Sequence, residues 1–381
     1  MATFSLVRDT KLFVSTSQTI SGMSSTNTWE VPVLAGYSFT AETDVQQVTV
    51  SEAGIGNVAR GQQAFTNAIQ PVNWSITTYM RPRWYASPVS VADAVERILW
   101  EGLAGPKEAN TIDADTNGIA TTRGATTLGM AVGFESSNTN ELLELSLVFK
   151  VGGIWYHITG ALVNQAEIDF SIDSIAQISW SGFGTELKEI TGGDLTDVQG
   201  WVADTDYVSA PDTYACIRNK LSTVELQNNA SGGSTYTVAI TGGSLTINNN
   251  IEFLTPEILG VVNRPCGGFT GTREVSGNIT AYLKAGPTAT AGLLNDLSTD
   301  LSTVTQDFDM KIHAGNGTNT TTHVPQVQFH LPHAHLNIPT VGVEDVLTVD
   351  IGFTGLPTDS AGDFDLEYNN ELEVTYFPDE S

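Results

Sequence analysis

Three histidines crowd the segment FHLPHAH: His330, His333 and His335. Imidazoles this close could hold a transition metal, because neutral ring nitrogens are preferred ligands of zinc and its neighbours. On a strand, His333 and His335 share a face, and Pro332 marks a bulge or an edge that could bring His330 round. A closed site would need a fourth ligand, with His313 and His323 as candidates. The competing reading is polar strand residues at a subunit contact, and no metal or other cofactor is expected. A second cluster, DADTNG, places Asp113, Asp115 and Asn117 as at the start of a calcium loop. Gly124 stands where that loop needs a bidentate acid, so residues 104–127 are expected to be a long exposed loop. No phosphate-binding glycine loop, HExxH or G-x-S-x-G is present, and no enzymatic activity is expected.

The remaining chemistry is carboxylate. The 381 residues carry 43 Asp+Glu against 16 Lys+Arg, a net charge of −27. That balance excludes a basic nucleic-acid reader and suits a surface that repels phosphate. Two segments order the acids. In EIDFSID, Glu167, Asp169 and Asp173 alternate with Ile168, Phe170 and Ile172. In DFDLEYNNELEVTYF, Asp363, Asp365, Glu367, Glu371 and Glu373 share one face against Phe364, Leu366, Leu372 and Val374. Period-two alternation gives each strand one buried and one acidic face. Such a face is either ordinary solvated surface or a wall that must not bind polyanions. The two cysteines, Cys216 and Cys266, lie far apart and read as free thiols. No secretory leader and no eighteen-residue apolar run is seen, so no membrane span is expected.

The elements that would position these groups occur twice. NWSITTYM (73–80) and SGNITAYL (276–283) share Ile-Thr-x-Tyr and a following apolar residue. VRDTKL (7–12) is echoed by IRNKL (217–221), and TWEVPVLAGYSFTAE (28–42) by TYTVAITGGSLTINN (235–249). Each Ile-Thr-x-Tyr strand is followed by a proline and a helical pattern. The first spans 90–103, with Ser90 and Asp93 as a capping box and a stripe of Val91, Val95, Ile98 and Leu99. The second spans 288–301, with Leu293, Leu294, Leu297 and Leu301. Later strands end in Gly182-Phe183 and in Gly352-Phe353. The expected organisation is a unit at 1–190, a turn-rich linker at 191–211 and its duplicate at 212–381. The composition, rich in Thr, Ser, Val, Ile and Gly, points to a mainly β (α+β) fold.

This order of elements resembles the tail tube proteins of long-tailed, siphophage-type bacteriophages. The resemblance is carried by 276–286 and the helix after it, by the strand ending Gly352-Phe353, and by their earlier counterparts. It implies tandem β-sandwich or rolled-sheet units, each with one flanking helix, that join into a continuous β-barrel on oligomerisation. It further implies a structural virion protein. Three duplicated chains, or six in the plain form, would make a ring, and stacked rings would conduct DNA at ejection. Implied partners are its own copies, tail terminator and tail tip proteins, and the tape measure protein and genomic DNA in the lumen, bound without sequence specificity. The acids of 167–173 and 363–373 would then line the lumen, and the loop carrying Asp113, Asp115 and Asn117 would bridge rings. The alternatives are a secretion-type tube ring, another virion protein, or a metal- or sugar-binding β-sandwich.

Overall fold

A computed structural model describes residues 10–24, 27–48, 63–86, 90–104, 118–121, 130–134, 142–190, 216–229, 233–255, 259, 262–299, 308–315, 325–337, 340–342, 347–357 and 371–377. The expected linker at 191–211 lies outside them. So do Asp113, Asp115, Asn117, Asp363, Asp365 and Glu367.

The fold is mainly β. Strands β1 (Thr10–Ser15), β2 (Thr28–Val31) and β3 (Ser38–Thr40) lead into a hairpin, β4 (Thr43–Val48) with β5 (Gln63–Ile69). Then come β6 (Val72–Tyr79), the hairpin β7 (Pro82–Ala86) and β8 (Ser90–Ala94), and helix α1 (Arg97–Ala104). The pair β9 (Gly118–Thr121) and β10 (Met130–Gly133) precedes β11 (Leu145–Val151), the long β12 (Ile154–Asp169), β13 (Gln177–Gly184) and β14 (Glu186–Ile190). The second half runs β15 (Thr223–Asn228), β16 (Thr235–Val238), β17 (Ile240–Asn248), the short hairpin β18 (Glu252–Leu254) and β19 (Gly267–Phe269), and β20 (Glu274–Tyr282). Helix α2 (Thr290–Thr299) is followed by β21 (Phe308–Ala314), β22 (Gln326–Leu336), β23 (Thr340–Gly342), β24 (Thr348–Gly355) and β25 (Glu373–Phe377). The fragment 217–221 is no strand: Asn219–Leu221 form a 3-10 turn, and the strand starts at Thr223.

The strand neighbours in the two halves read alike. β3 pairs with β6, β6 with β13, and β13 with the distal part of β12. β17 pairs with β20, β20 with β24, and β24 with β23. All are antiparallel. The two sets are fused, because β12 also pairs with β17 through Gln165↔Asn248, Ile168↔Leu245 and Asp169↔Ser244. Behind them lies a second layer. β2, β1, β11, proximal β12 and β14 cover the first set. β16, β15, β21, β22 and β25 cover the second, and β10 and β9 from the first half extend that sheet past β25. Leu245, Ile247, Ile76, Ile279, Trp180 and Phe353 fill the space between layers in one continuous core.

The first helix is shorter than its sequence pattern. Ser90–Ala94 is a strand against Pro82–Ala86, so Ser90 and Asp93 form no capping box. The helix is opened instead by Glu96, whose carbonyl accepts from Leu99 N (2.9 Å) and Trp100 N (3.4 Å). The apolar residues 91–99 satisfy both periods, and the available partner strand decides the first part. The second helix starts at Thr290, whose hydroxyl accepts from Lys284 N at 2.7 Å; Leu293 and Leu297 are buried in it. Among the described residues no helix is long and apolar enough to cross a membrane.

Candidate functional site

The face of the fused sheets turned away from the core is polar along its whole described width. On β6, Trp74 and Ile76 are buried, which leaves Asn73, Ser75, Thr77 and Tyr79 on the wet side. On β13 the wet residues are Gln177, Ser179 and Ser181; on distal β12 they are Gln165, Glu167 and Asp169. β17 adds Ser244, Thr246 and Asn248. β20 adds Glu274, Ser276, Asn278 and Thr280, and β24 adds Thr348, Asp350 and Thr354. None of these strands, β3 and β23 included, contains a Lys or Arg along the faces described here.

The hydroxyls and amides on this face are organised in pairs that recur. The Ser38 and Ser75 hydroxyls bond at 2.8 Å, and at the corresponding place Ser244 Oγ donates to Asn278 Oδ1 at 2.9 Å. Thr77 and Ser179 bond at 3.3 Å, and Thr280 Oγ1 donates to Asp350 Oδ1 at 2.7 Å. Cross-strand pairs of this kind hold a sheet face in place. The result is a hydroxyl- and amide-covered wall with a few carboxylates. Phosphate finds no cation there to replace its hydration.

The expected acidic residues divide. Glu167 and Asp169 lie on this wall and are exposed, but β12 stops at Asp169. Asp173 sits in the turn after it, where Ser174 N bonds Ser171 O. Glu371 is elsewhere: its carboxylate accepts from Arg273 Nε at 2.7 Å, and both side chains are nearly buried. Arg273 also donates to Phe134 O at 2.6 Å. Glu373 lies on β25 in the other layer, opposite His330. Its carboxyl is held below the usual range, chiefly by the bond to His330. Glu274 and Asp350 take places on the wall that an acid-rich pattern did not point to. The alternation leading into the second Ile-Thr-x-Tyr carries Glu274, and that of β24 carries Asp350 between the buried Val349 and Ile351.

The histidines do not converge. A register shift between Phe308 and Met310 on the partner strand produces the bulge expected at Pro332. His330 Nε2 meets Asp309 Oδ1 at 3.0 Å, while His333 is half-buried and His335 exposed further along β22. Among the described residues no group of three or more His, Cys, Asp or Glu is placed to hold a metal ion. Cys216 and Cys266 are free and exposed.

The polar cluster that the sequence did not announce is buried. Tyr376 Oη donates to Glu96 Oε1 at 2.7 Å and accepts from Trp100 Nε1 at 2.7 Å. Arg81 N also reaches Glu96 Oε1, at 3.3 Å. Trp100 stands edge-on to Trp180, with ring centroids 4.9 Å apart. Burial pushes the Glu96 carboxyl above its ordinary value and, with Glu96 beside it, the Tyr376 phenol further up. The cluster pins the C-terminal strand to the start of α1 and so ties the two halves together behind the wall.

The described strands of the fused antiparallel sheet thus present a hydroxyl-rich face on which they carry no Lys or Arg. A family model described as phage tail tube protein matches residues 103–355. The tail tube protein pb6 of Escherichia phage T5 is 31% identical over 362 residues, which are 94% of this chain and 74% of that protein. The chain belongs to the phage tail tube protein family, and it is a structural protein of the virion tail.

Proposed function

We propose that this chain is a ring-forming tail tube subunit built of two tandem units, 1–190 and 212–381 joined by 191–211, three chains closing each ring. The observation that carries this reading is the β12–β17 pairing. It joins the last strand of one set to the first strand of the next in a head-to-tail manner. Among the described residues, the outer edge of β3 and the outer edge of β23 remain as the two ends of the fused sheet. An open sheet edge is a template for another chain, and a head-to-tail contact that closes gives a ring. Three chains would close about 24 strands; at about 4.8 Å per strand the ring is roughly 115 Å around and about 37 Å across, before strand tilt widens it. Rings stacked on one another would form the conduit for DNA ejection, with the uncharged and acidic wall facing the genome and the tape measure protein. Terminator and tip proteins would cap the two ends, and the loop with Asp113, Asp115 and Asn117 would bridge rings. Electron microscopy of the purified, untagged protein with averaging of end-on views tests this. Hollow rings or tubes with three-fold symmetry are the expected result. Monomers alone across salt and concentration would refute it.

A further inference from the structure

The fused sheet contains, within one chain, a worked example of the contact that ring closure needs between chains. Its register can be transferred residue by residue. Ile76 and Ile279 occupy the same place, because Thr77 faces Ser179 where Thr280 faces Asp350. On one side of these strands, Ser38, Phe39 and Thr40 face Ser75, Trp74 and Asn73. Ser244, Leu245 and Thr246 face Asn278, Gly277 and Ser276. Ser-Phe-Thr therefore stands where Ser-Leu-Thr stands. On the other side, Glu167, Ile168 and Asp169 face Ser179, Ile178 and Gln177. Thr340, Val341 and Gly342 face Asp350, Val349 and Thr348. Those three residues of β23 thus occupy the places of Glu167, Ile168 and Asp169.

Within the chain, Glu167 pairs with Thr246, Ile168 with Leu245 and Asp169 with Ser244. The same junction has a polar clasp. Asn164 accepts Asn249 N on its carbonyl at 2.9 Å and Ile251 N on its carboxamide oxygen at 2.7 Å. Asn337 holds the corresponding place in the second set, as Val163 and Leu336 precede the two asparagines at buried positions; Asn337 is exposed. Counting from Thr40 as from Thr246, Thr43 and Val45 correspond to Asn249 and Ile251. Asp44 and Val45 are where β4 carries its register shift, as Asn250 is the left-handed residue (φ 50°) of the other turn.

Resting on the ring reading above, we propose that β23 of one chain pairs antiparallel with β3 of the next in a single register, Thr340 opposite Thr40, Val341 opposite Phe39 and Gly342 opposite Ser38, with the Asn337 carboxamide clasping the neighbour's backbone at residues 43–45. The partner is a second copy of this chain. This seam differs from the internal one in charge: Thr340 and Gly342 stand where Glu167 and Asp169 stand, so the seam between chains carries no carboxylate pair.

Paired cysteines test the register, with Cys216 and Cys266 first replaced by serine. Directly opposed antiparallel residues have Cα atoms about 4.5–5.5 Å apart, within disulfide reach. Thr40→Cys with Thr340→Cys should convert assembled tubes into covalent trimers on mild oxidation. Thr40→Cys with Gly342→Cys, a two-residue slip, should leave mostly monomer on a non-reducing gel. Asn337→Ala should raise the critical concentration for assembly about tenfold, equivalent to one lost hydrogen-bonded contact, without changing the melting of the free chain. Efficient cross-linking of the slipped pair, or no cross-linking of the first pair in tubes visible by microscopy, would overturn the register while leaving the ring reading intact. Failure of the cysteine-free parent to form rings would overturn both.

Discussion

At the scale of single residues, the buried cluster around Tyr376 is the most informative. Its hydroxyl serves two partners at once, the Glu96 carboxyl and the Trp100 indole. Tyr376→Phe keeps the ring packing, orphans the Trp100 indole N–H and leaves Glu96 Oε1 with Arg81 N alone, so a loss of about 1–3 kcal/mol is expected in urea unfolding. Glu96 also sets a pH dependence. Its folded-state affinity for the proton is raised, chiefly by burial. Its contribution is therefore complete below its ordinary value of 4.5 and is lost as pH rises through the folded value. Glu96→Gln, which cannot ionise, should gain on the parent as pH climbs above that point. His157 runs in the opposite sense. It is buried against Ser146, and burial, with Lys188 adding to it, lowers its value from 6.5 to about 4. The neutral ring is the one the fold accommodates, so its contribution is present above pH 6.5 and is lost as pH falls toward about 4. His157→Gln should flatten that acid limb, read from unfolding midpoints over the same range.

At the scale of elements, an aromatic–glycine pair has changed strands between the two sets. In the first, Trp74 of β6 lies against Gly182 of β13; in the second, Gly277 of β20 lies against Phe353 of β24. A Cβ on Gly182 would stand 2.0 Å from Leu162 O and 2.6 Å from the Trp74 ring. One on Gly277 would stand 2.2 Å from Ser244 O and 2.4 Å from Phe353 Cζ. Either alanine forces two strands apart, and each should cost about 1–3 kcal/mol in denaturant unfolding. This exchange also marks the limit of what could be read from the chain. The strands around Ile-Thr-x-Tyr and the buried face of α2 were legible, because period-two and period-3.6 patterns are local. Matching Gly182-Phe183 to Gly352-Phe353 aligned letters that are one position out of register: Gly182 answers Phe353. Phe183 therefore lies half-exposed while Phe353 is buried. A one-residue slip reverses every side chain, and only the cross-strand partners fix it. For the same reason Glu373 looked like the acids of β12 yet sits in another layer. The Arg273–Glu371 pair is set by a contact between residues remote in sequence.

At the scale of the whole molecule, the question is what the wall does in an assembled tube. Its charges are few and of one sign: Glu167, Asp169, Glu274 and Asp350, with no cation on the strands that bear them. On the ring reading, repulsion of this kind would matter for passage more than for folding, since exposed carboxylates on a hydrated face add little to stability. The two roles separate under charge reversal. Glu167→Lys with Glu274→Lys and Asp350→Lys replaces carboxylates at three places around each subunit without touching the buried face. Asp350 loses its bond from Thr280, a small cost at an exposed position. The variant should therefore fold and assemble as the parent does. Duplex DNA should now bind the inner wall, because every lysine gained at a phosphate releases counterions. Binding should be strong at low salt and fall steeply as salt rises, whereas parent tubes should retain no DNA at either condition. Phage carrying the variant should eject DNA more slowly, with the delay relieved by salt. If reversed tubes retain no more DNA than the parent at low salt, the face is not the lining, and the wet side of this sheet must point away from the bore.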